Sequence, residues 1–344
     1  MATYKAEFLS HYYEGHLRPR SAYAMGFIHR WARLASHMPQ LVNVLTQTPG
    51  LSNLAKVFAG ISRRRSLPRF ADRTFVAWFQ SRQRPSSTDE REQRVLLWPD
   101  TFNNHFHPDT AIAATEVLEA AGCRVVIPAR SLCCGRPLYD YGFLVQAKRL
   151  LRDILCELRP YLEAGTPIVV LEPSCLAVFR DELVNLFPDD RDAQRLSRQS
   201  FLLADFLRTQ VPGYEPPRLA QQVMMHGHCH HKAIATMDAE EALVRDMTDE
   251  VEILDSGCCG MAGSFGFEAH HYDVSMQVGD LVLLPAVRNA SPETLIVADG
   301  FSCREQIEQG TGRRAVHVAQ ALQAAIAGRR GIDGAPAEVC EIRA

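Results

Sequence analysis

Residues 94–101 read RVLLWPDT, and residues 222–229 read QVMMHGHC. Each stretch is a short apolar run that ends at polar residues, which is typical of a buried strand. From residue 95 onward, further runs of this kind alternate with helical patterns. That alternation indicates parallel strands with helices on both faces. The sequence therefore predicts an α/β fold with open parallel sheets.

The two stretches begin two halves that repeat one another. Four landmarks recur in the same order: the strand, a CCG tripeptide, a strand followed by Ser-Cys, and an apolar run. They are residues 94–101, 132–135, 168–175 and 201–207 in the first half and 222–229, 257–260, 295–303 and 316–322 in the second. Such internal similarity indicates a duplicated unit.

The changes in hydrophobic pattern along the chain indicate five segments. Amphipathic helical stretches broken by turn residues come first, and the polar sequence QRPSSTDEREQR separates them from the strands. We expect a helical docking segment over 1–84, a linker over 85–94, a first repeat over 95–215, a second repeat over 216–330 and a tail over 331–344.

Charge is divided unevenly along the 344 residues. Residues 1–94 contain 15 Lys and Arg against 6 Asp and Glu, whereas the remaining residues contain 22 against 34. This predicts a basic segment docked on an acidic body or partner, and a surface helix at an anionic membrane would also fit. No nucleic-acid partner is expected, because no binding motif accompanies the basic run GISRRRSLPRF. No transmembrane run or signal peptide is apparent, so we expect a cytoplasmic protein, with the inner face of the membrane as an alternative.

Four cysteines of the second half follow predicted strands. The loops after parallel strands lie at one edge of a sheet, so these thiols are expected to converge. They are Cys229, Cys258, Cys259 and Cys303. Four thiols in a reducing compartment suit an iron–sulfur cluster or zinc.

The adjacency of Cys258 and Cys259 favours a cluster over one zinc ion. Neighbouring thiols bind different metals of a cluster more readily than one tetrahedral ion. Gly257 and Gly260 flank the pair and expose amides that could hydrogen-bond cluster sulfides. We predict an iron–sulfur cluster, with [4Fe–4S] favoured and zinc as the alternative.

The first half has three corresponding thiols, Cys133, Cys134 and Cys175. Thr101 stands where the second half has Cys229. We predict a degenerate site here and keep open a possible second metal site with a substitute ligand. The candidate substitutes are Asp100, His105 and His107.

The remaining cysteines and the histidines receive simpler predictions. Cys123, Cys156 and Cys340 are expected to be small buried apolar residues. Histidines crowd the second site, at 226, 228, 230, 231, 270 and 271. His228 and His230 flank Cys229 and are the candidates for a proton relay.

The paired CCG landmarks, with HCHH upstream and Ser-Cys downstream, resemble the cysteine-rich CCG domain pair of iron–sulfur proteins. That pair is known from heterodisulfide reductase and from glycolate oxidase and lactate utilisation iron–sulfur proteins. The whole chain is most similar to the C-terminal portion of FAD-linked oxidases of the D-lactate and D-2-hydroxyglutarate dehydrogenase type. The resemblance implies two tandem, pseudo-symmetric, Rossmann-like repeats. Each repeat here keeps one thiol of the family's CxxC, which leaves four thiols in the second, enough for one cubane cluster.

The resemblance also implies a function. This chain would pass electrons from a flavin toward a quinone or cytochrome, as the iron–sulfur module of a flavin-dependent 2-hydroxy acid dehydrogenase. FAD is expected on an upstream domain or on another polypeptide, against which the helical segment docks, so the chain alone is not expected to turn over a hydroxy acid. The alternatives are a zinc-binding or metal-free interaction domain that recognises a partner subunit, and a thiol–disulfide reductase.

Overall fold

The computed structural model describes residues 2–82 and 93–332. Most of the expected linker, and the tail from residue 333 with Cys340, lie outside the described residues. Strand β1 begins at Gln93, two residues before the first repeat was expected to start.

The first part of the chain is helical, as the sequence predicts. Prolines and glycines at the helix boundaries divide it into short helices. They are α1 (Ala2–Tyr12), α2 (Arg20–Gly26), α3 (Ile28–Ala35), α4 (Pro39–Gln47), α5 (Leu51–Ala59) and α6 (Phe75–Ser81).

The first repeat alternates strands and helices. Its strands are β1 (Gln93–Trp98), β2 (Cys123–Val126), β3 (Ile168–Val170) and β4 (Ser200–Leu202). Its helices are α7 (Thr101–His105), α8 (Pro108–Ala120), α9 (Arg136–Asp140), α10 (Leu144–Glu163), α11 (Pro173–Ala177), α12 (Leu183–Leu186), α13 (Arg191–Gln199) and α14 (Leu203–Gln210). A π-helical turn, Val178–Glu182, joins α11 to α12.

The second repeat follows the same plan. Its strands are β5 (Val223–His226), β6 (Val251–Leu254) and β7 (Leu295–Val297). Its helices are α15 (Cys229–Ile234), α16 (Asp238–Met247), α17 (Tyr272–Gly279), α18 (Leu283–Asn289), α19 (Phe301–Thr311) and α20 (Val318–Ile332), with a 3₁₀ turn at Phe265–Phe267. No described helix is both long enough and apolar enough to cross a membrane.

The two sheets have the same topology, which confirms the predicted α/β class. The first sheet has the order β2-β1-β3-β4, and all its pairs are parallel. The second has the order β6-β5-β7, also parallel, and a parallel bridge between Val297 and Val316 occupies the place of the fourth strand. Val316 begins the run that the sequence aligns with β4.

The repeats pack against each other through one continuous core. Helix α8 of the first repeat packs on α20 of the second, and β1 and β5 contribute to the same apolar cluster. Polar contacts also cross this interface. The Glu172 carboxylate accepts a hydrogen bond of 2.8 Å from the Phe301 backbone N–H, and the Arg304 guanidinium donates to Asn103 Oδ1 at 3.3 Å.

One cysteine prediction is wrong. Cys156 was expected to be buried, but it is exposed on α10. The buried residues of this long amphipathic helix include Ile154, Leu155 and Leu158, so position 156 falls on the opposite, solvent-facing side. Cys123 is buried in the core, as predicted.

The basic run after α5 fastens the helical segment to the second repeat. Arg65 is only 1% exposed, and its guanidinium donates to the Gly266 carbonyl at 2.7 Å and to Ser275 Oγ at 2.8 Å. The exposed Arg64 pairs with Asp273 at 2.6 Å. Two of the three consecutive arginines therefore make contacts within the fold.

These contacts predict unequal effects for neighbouring substitutions. Arg65→Ala leaves two buried acceptors without their donor, so the free energy of unfolding should fall by about 1–3 kcal/mol. The exposed Arg63 provides the matched control, and Arg63→Ala should change stability by no more than about 0.5 kcal/mol. Urea denaturation of both variants measures the difference. Equal stability of the two variants would contradict this role of Arg65.

Candidate metal centre

The cysteines of the second repeat lie where parallel strands end. Helix α15 begins at Cys229 just after β5, the CCG loop follows β6, and Cys303 lies in the first turn of α19 after β7. Because the three strands are parallel, these three positions meet at the carboxyl edge of the sheet. The structure thus brings together the residues that the sequence predicted to converge.

The four thiols form one connected group. Cys229 donates a hydrogen bond to Cys258. Cys259 in turn contacts both Cys258 and Cys303. Cys259 and Cys303 are buried, whereas Cys229 and Cys258 are partly exposed. The group therefore has a buried side and a side open to solvent.

Two thiols of this group are acidic. The hydrogen bonds from Cys229 and Cys259 lower the pKa of Cys258, and a hydrogen bond from Cys259 lowers the pKa of Cys303. The same bonds raise the pKa values of the two donors, Cys229 and Cys259. Since the thiolate is the form that binds metal, the second repeat provides two of its four ligands, Cys258 and Cys303, in the required protonation state.

Imidazoles add to the stabilisation of these thiolates. His226 is 1% exposed, and its Nδ1 lies 2.6 Å from Ser256 Oγ. The charges of His226 and His228 both lower the pKa of Cys303. The sequence includes His226 among the crowded histidines but favours its neighbours, because spacing from Cys229 could not reveal the contact with Cys303.

His228 and His230, the two predicted relay residues, differ in their surroundings. His228 caps α15, and its Nδ1 accepts the His230 backbone N–H at 3.1 Å. Burial, with the charges of Arg136 and His228, lowers the pKa of His230 to about 3. The His230 ring is therefore neutral at pH 7. A Cβ at Gly300 would lie 2.1 Å from His228 Cδ2, so this glycine leaves room for the His228 ring.

The two glycines of the CCG loop have different roles. The Gly260 N–H donates to Cys258 Sγ at 3.4 Å, as an amide that stabilises a thiolate would. Gly260 also has φ +88°, and a Cβ there would lie 2.1 Å from the Ser275 carbonyl oxygen. A Cβ at Gly257 would meet nothing within 4 Å. Gly260 is thus required by the fold, whereas Gly257 faces open space.

The first repeat shows the same order of contacts with a hydroxyl in place of one thiol. Thr101 hydrogen-bonds Cys133, which contacts Cys134. The sulfur atoms of Cys134 and Cys175 are 3.0 Å apart. All three thiols are buried. The aligned positions therefore lie in equivalent places in the two repeats.

Charge distinguishes the two sites. Asp100 and Glu172 occupy the positions that align with His228 and Gly300. Although its hydrogen bond with Cys134 acts the other way, burial and these two carboxylates raise the pKa of Cys175 to about 11. The pKa values of Cys133 and Cys134 are raised as well, so the first repeat keeps its thiols protonated.

Only one of the three suggested substitute ligands lies near these thiols. Asp100 is buried and caps α7, and its charge acts on Cys175. His105 Nδ1 lies 2.6 Å from Ser36 Oγ, and His107 lies 3.5 Å from the Glu305 carboxylate. Both histidines thus have partners away from the cysteines.

The two sites adjoin at the interface between the repeats. Helix α11, which contains Cys175, packs against α15, which begins at Cys229. The buried Arg136 lies 2.6 Å from Glu182, and its charge acts on Cys134 and His230. Sequence alone could not identify Arg136 as a residue between the two sites, because nothing in the neighbouring sequence indicates that it is buried.

The donor set fits an iron–sulfur cluster. Four connected thiols, two of them acidic, are the ligands such a cluster needs, and the Gly260 amide points at one sulfur. Within residues 2–82 and 93–332, no three or more His, Cys, Asp or Glu side chains already stand in the arrangement of a single-ion site.

Comparison with protein families finds a match within the first repeat. Residues 100–180 match the family of the cysteine-rich domain called CCG. The first repeat thus contains a match to the CCG cysteine-rich domain. The matched range lies in the first repeat and includes Cys133, Cys134 and Cys175.

Similarity to curated proteins extends beyond the first repeat. One of the subunits of anaerobic glycerol-3-phosphate dehydrogenase from Escherichia coli (strain K12) is 28% identical over 83% of this chain and 72% of its own length. D-2-hydroxyglutarate dehydrogenase of Pantoea ananatis is 23% identical over 93% of this chain but only 32% of its own length. Lactate utilization protein A of Bacillus velezensis is 28% identical over 67% of this chain and 98% of its own length.

The hydrogen-bond pattern predicts different reactivities for the two partly exposed thiols. In metal-free protein at pH 6, Cys258 should react with iodoacetamide faster than Cys229, because a lowered pKa keeps Cys258 as thiolate while Cys229 remains a thiol. Time-resolved peptide mass spectrometry measures both rates. Faster alkylation of Cys229 would show that the assigned donor and acceptor are reversed.

Proposed function

We propose that this chain is the iron–sulfur electron-transfer module of a flavin-dependent 2-hydroxy acid dehydrogenase. It receives electrons from a flavin and passes them toward a quinone or cytochrome acceptor. The observation that carries the proposal is the connected, partly ionised group of four thiols in the second repeat.

The residues that would hold the cluster are Cys229, Cys258, Cys259 and Cys303. An iron–sulfur cluster accepts and donates single electrons at a potential set by its surroundings. In this chain those surroundings are His226, His228 and the Gly260 amide, which stabilise negative charge on the sulfur ligands. A [4Fe–4S] cluster suits the number of thiols.

The relatives support the class of reaction and the kind of partner. Two of them are a dehydrogenase and a component of a dehydrogenase, and this supports an electron-transfer role in an oxidoreductase. The D-2-hydroxyglutarate dehydrogenase match covers nearly all of this chain but about a third of the relative. We infer that the flavin resides on a separate domain or subunit and that a 2-hydroxy acid is oxidised there.

The first repeat is proposed to be the degenerate member of the pair. It has three protonated thiols, and two carboxylates oppose the ionisation of Cys175, which metal binding would require. Its contribution is structural: α11 packs against α15, and Glu172 holds the first turn of α19. Both α15 and α19 carry ligands of the second site.

Metal analysis tests the proposal directly. After anaerobic purification, the protein should be brown and contain about four iron and about four sulfide per chain. Cys258→Ser and Cys303→Ser should each lower the iron content strongly. The exposed Cys156 provides the matched control, and Cys156→Ser should leave iron unchanged.

Two results would contradict the cluster. Colourless, iron-free protein from anaerobic cells would refute it, and stoichiometric zinc bound by the same four cysteines would replace it with a structural zinc site. In the zinc case, Cys258→Ser should lower the melting temperature without affecting electron delivery to an acceptor.

The equivalence of the two repeats predicts a gain of metal on substitution. Thr101→Cys restores the fourth thiol of the first site, and Asp100→Asn removes one opposing charge while keeping an acceptor to cap α7. The double variant should bind a second cluster, so its iron content should rise to about eight per chain. The measurement is the same iron and sulfide analysis, with Asp100→Asn alone as the control. Unchanged iron in the double variant would show that the first repeat cannot accommodate a cluster.

A further inference from the structure

The helical segment exposes large apolar side chains to an unusual degree. Within the described residues, 19 large hydrophobic side chains are exposed, and 15 of them lie between residues 4 and 58. These are Tyr4, Phe8, Tyr12, Leu17, Tyr23, Trp31, Leu34, Met38, Leu41, Val44, Leu45, Leu51, Leu54, Val57 and Phe58. An isolated exposed leucine needs no explanation, but such a concentration marks an interaction surface.

The inward faces of the same helices are small or polar. Helix α3 buries Ala32 and Ala35, α4 buries Asn43, and α5 buries Ser52 and Lys56. A helix of a soluble domain normally does the reverse and turns its large apolar residues toward the core. The outward residues are therefore arranged for an apolar environment outside the fold.

The helices adjoin, so their exposed side chains lie on one connected region of the surface. Helix α5 packs against α2 and α4. Helices α1 and α5 line the same cleft of about 850 Å³, to which Leu9 and Val57 both contribute. The Trp31 indole N–H of α3 donates to the Tyr23 carbonyl of α2 at 3.1 Å. We call the 15 exposed side chains on these helices and their connections the apolar layer.

Positive charge surrounds the part of the apolar layer that follows α1, whereas α1 itself carries the exposed Glu7. Residues 15–71 contain nine Lys and Arg and no Asp or Glu. Several of these basic side chains are exposed, among them Arg20, Arg30 and Arg63. The chain from residue 95 onward has the opposite balance, with 22 Lys and Arg against 34 Asp and Glu.

We propose that the apolar layer binds the surface of a lipid bilayer that carries anionic headgroups. Short helices with aromatic and aliphatic residues on one face and arginines beside them lie in the plane of a membrane interface. Tyr and Trp side chains favour the headgroup level, and each basic residue gains from the negative surface potential. The acidic repeats are repelled from the same surface, so they lie on the solvent side of the bound protein.

A bilayer accounts for the composition better than the flavin domain that the sequence led us to expect on this segment. Protein interfaces pair charges of both signs across a polar rim. Here 57 consecutive residues contain no carboxylate side chain. Such a segment suits an anionic lipid surface, which offers only negative charge and requires no pairing of individual charges with a partner protein. The flavin partner would then meet the two repeats rather than the apolar layer.

Vesicle flotation with the full chain tests the proposal. Wild-type protein should float with vesicles of equal parts phosphatidylglycerol and phosphatidylcholine, and binding should weaken in high salt. The double variant Leu54→Ser/Phe58→Ser should lower the partition coefficient at least about tenfold, because two apolar contacts are lost. The double variant Val145→Ser/Leu281→Ser, which changes exposed residues outside the segment, should bind like wild type. Arg30→Gln/Arg63→Gln should weaken binding only to the anionic vesicles.

Three outcomes overturn the proposal. The proposal is refuted if wild-type protein binds neither anionic nor pure phosphatidylcholine vesicles. It is also refuted if the two serine double variants lose binding equally while circular dichroism shows that both are folded. In the third outcome, the wild-type protein does not bind vesicles but self-associates in sedimentation velocity, and Leu54→Ser/Phe58→Ser abolishes this self-association. That result would assign the apolar layer to contact with a second copy of the chain. No readout involves electron transfer, so failure here leaves the proposed function to its own test.

Discussion

Parallel strand order is the constraint on which the candidate metal centre depends. A parallel sheet places the end of every strand at one edge, so loops separated by dozens of residues meet there. In the second repeat this edge receives Cys229, the CCG loop and Cys303. No local metal-binding motif is needed, because the topology supplies the convergence. The packing of α11 on α15 then brings Cys175 of the first repeat to the same interface.

The two repeats show how charge can separate sites of equal geometry. The order of contacts among the aligned side chains is the same in both. Asp100 and Glu172 act on Cys175 in one repeat, whereas His226 and His228 act on Cys303 in the other. Carboxylates oppose ionisation of a nearby thiol and imidazoles favour it, so only the second repeat holds thiolates ready for metal. The two repeats have similar backbones at the site, and a few different side chains give their thiols different pKa values.

Much of the fold and of the candidate metal centre could be predicted from sequence, because each element of one repeat can be compared with its counterpart in the other. The α/β class, the parallel strands and the convergence of the second repeat's cysteines follow from aligned landmarks. Helical periodicity, by contrast, shows that a helix has an apolar face but not which way it points, so the sequence could suggest a docking or membrane-surface role for the helical segment but not which side chains face outward. The same limit explains why Cys156 was wrongly predicted to be buried. Arg136 and His226 were missed as site residues because their importance comes from tertiary contacts.

The central claim is that the second repeat alone holds an iron–sulfur cluster through its four thiols. Anomalous X-ray scattering at the iron edge, from crystals grown anaerobically, tests it most directly. We expect a strong iron signal enclosed by the sulfur atoms of Cys229, Cys258, Cys259 and Cys303 and none beside Cys134. A signal confined to the first repeat, or one that appears only at the zinc edge, would contradict it.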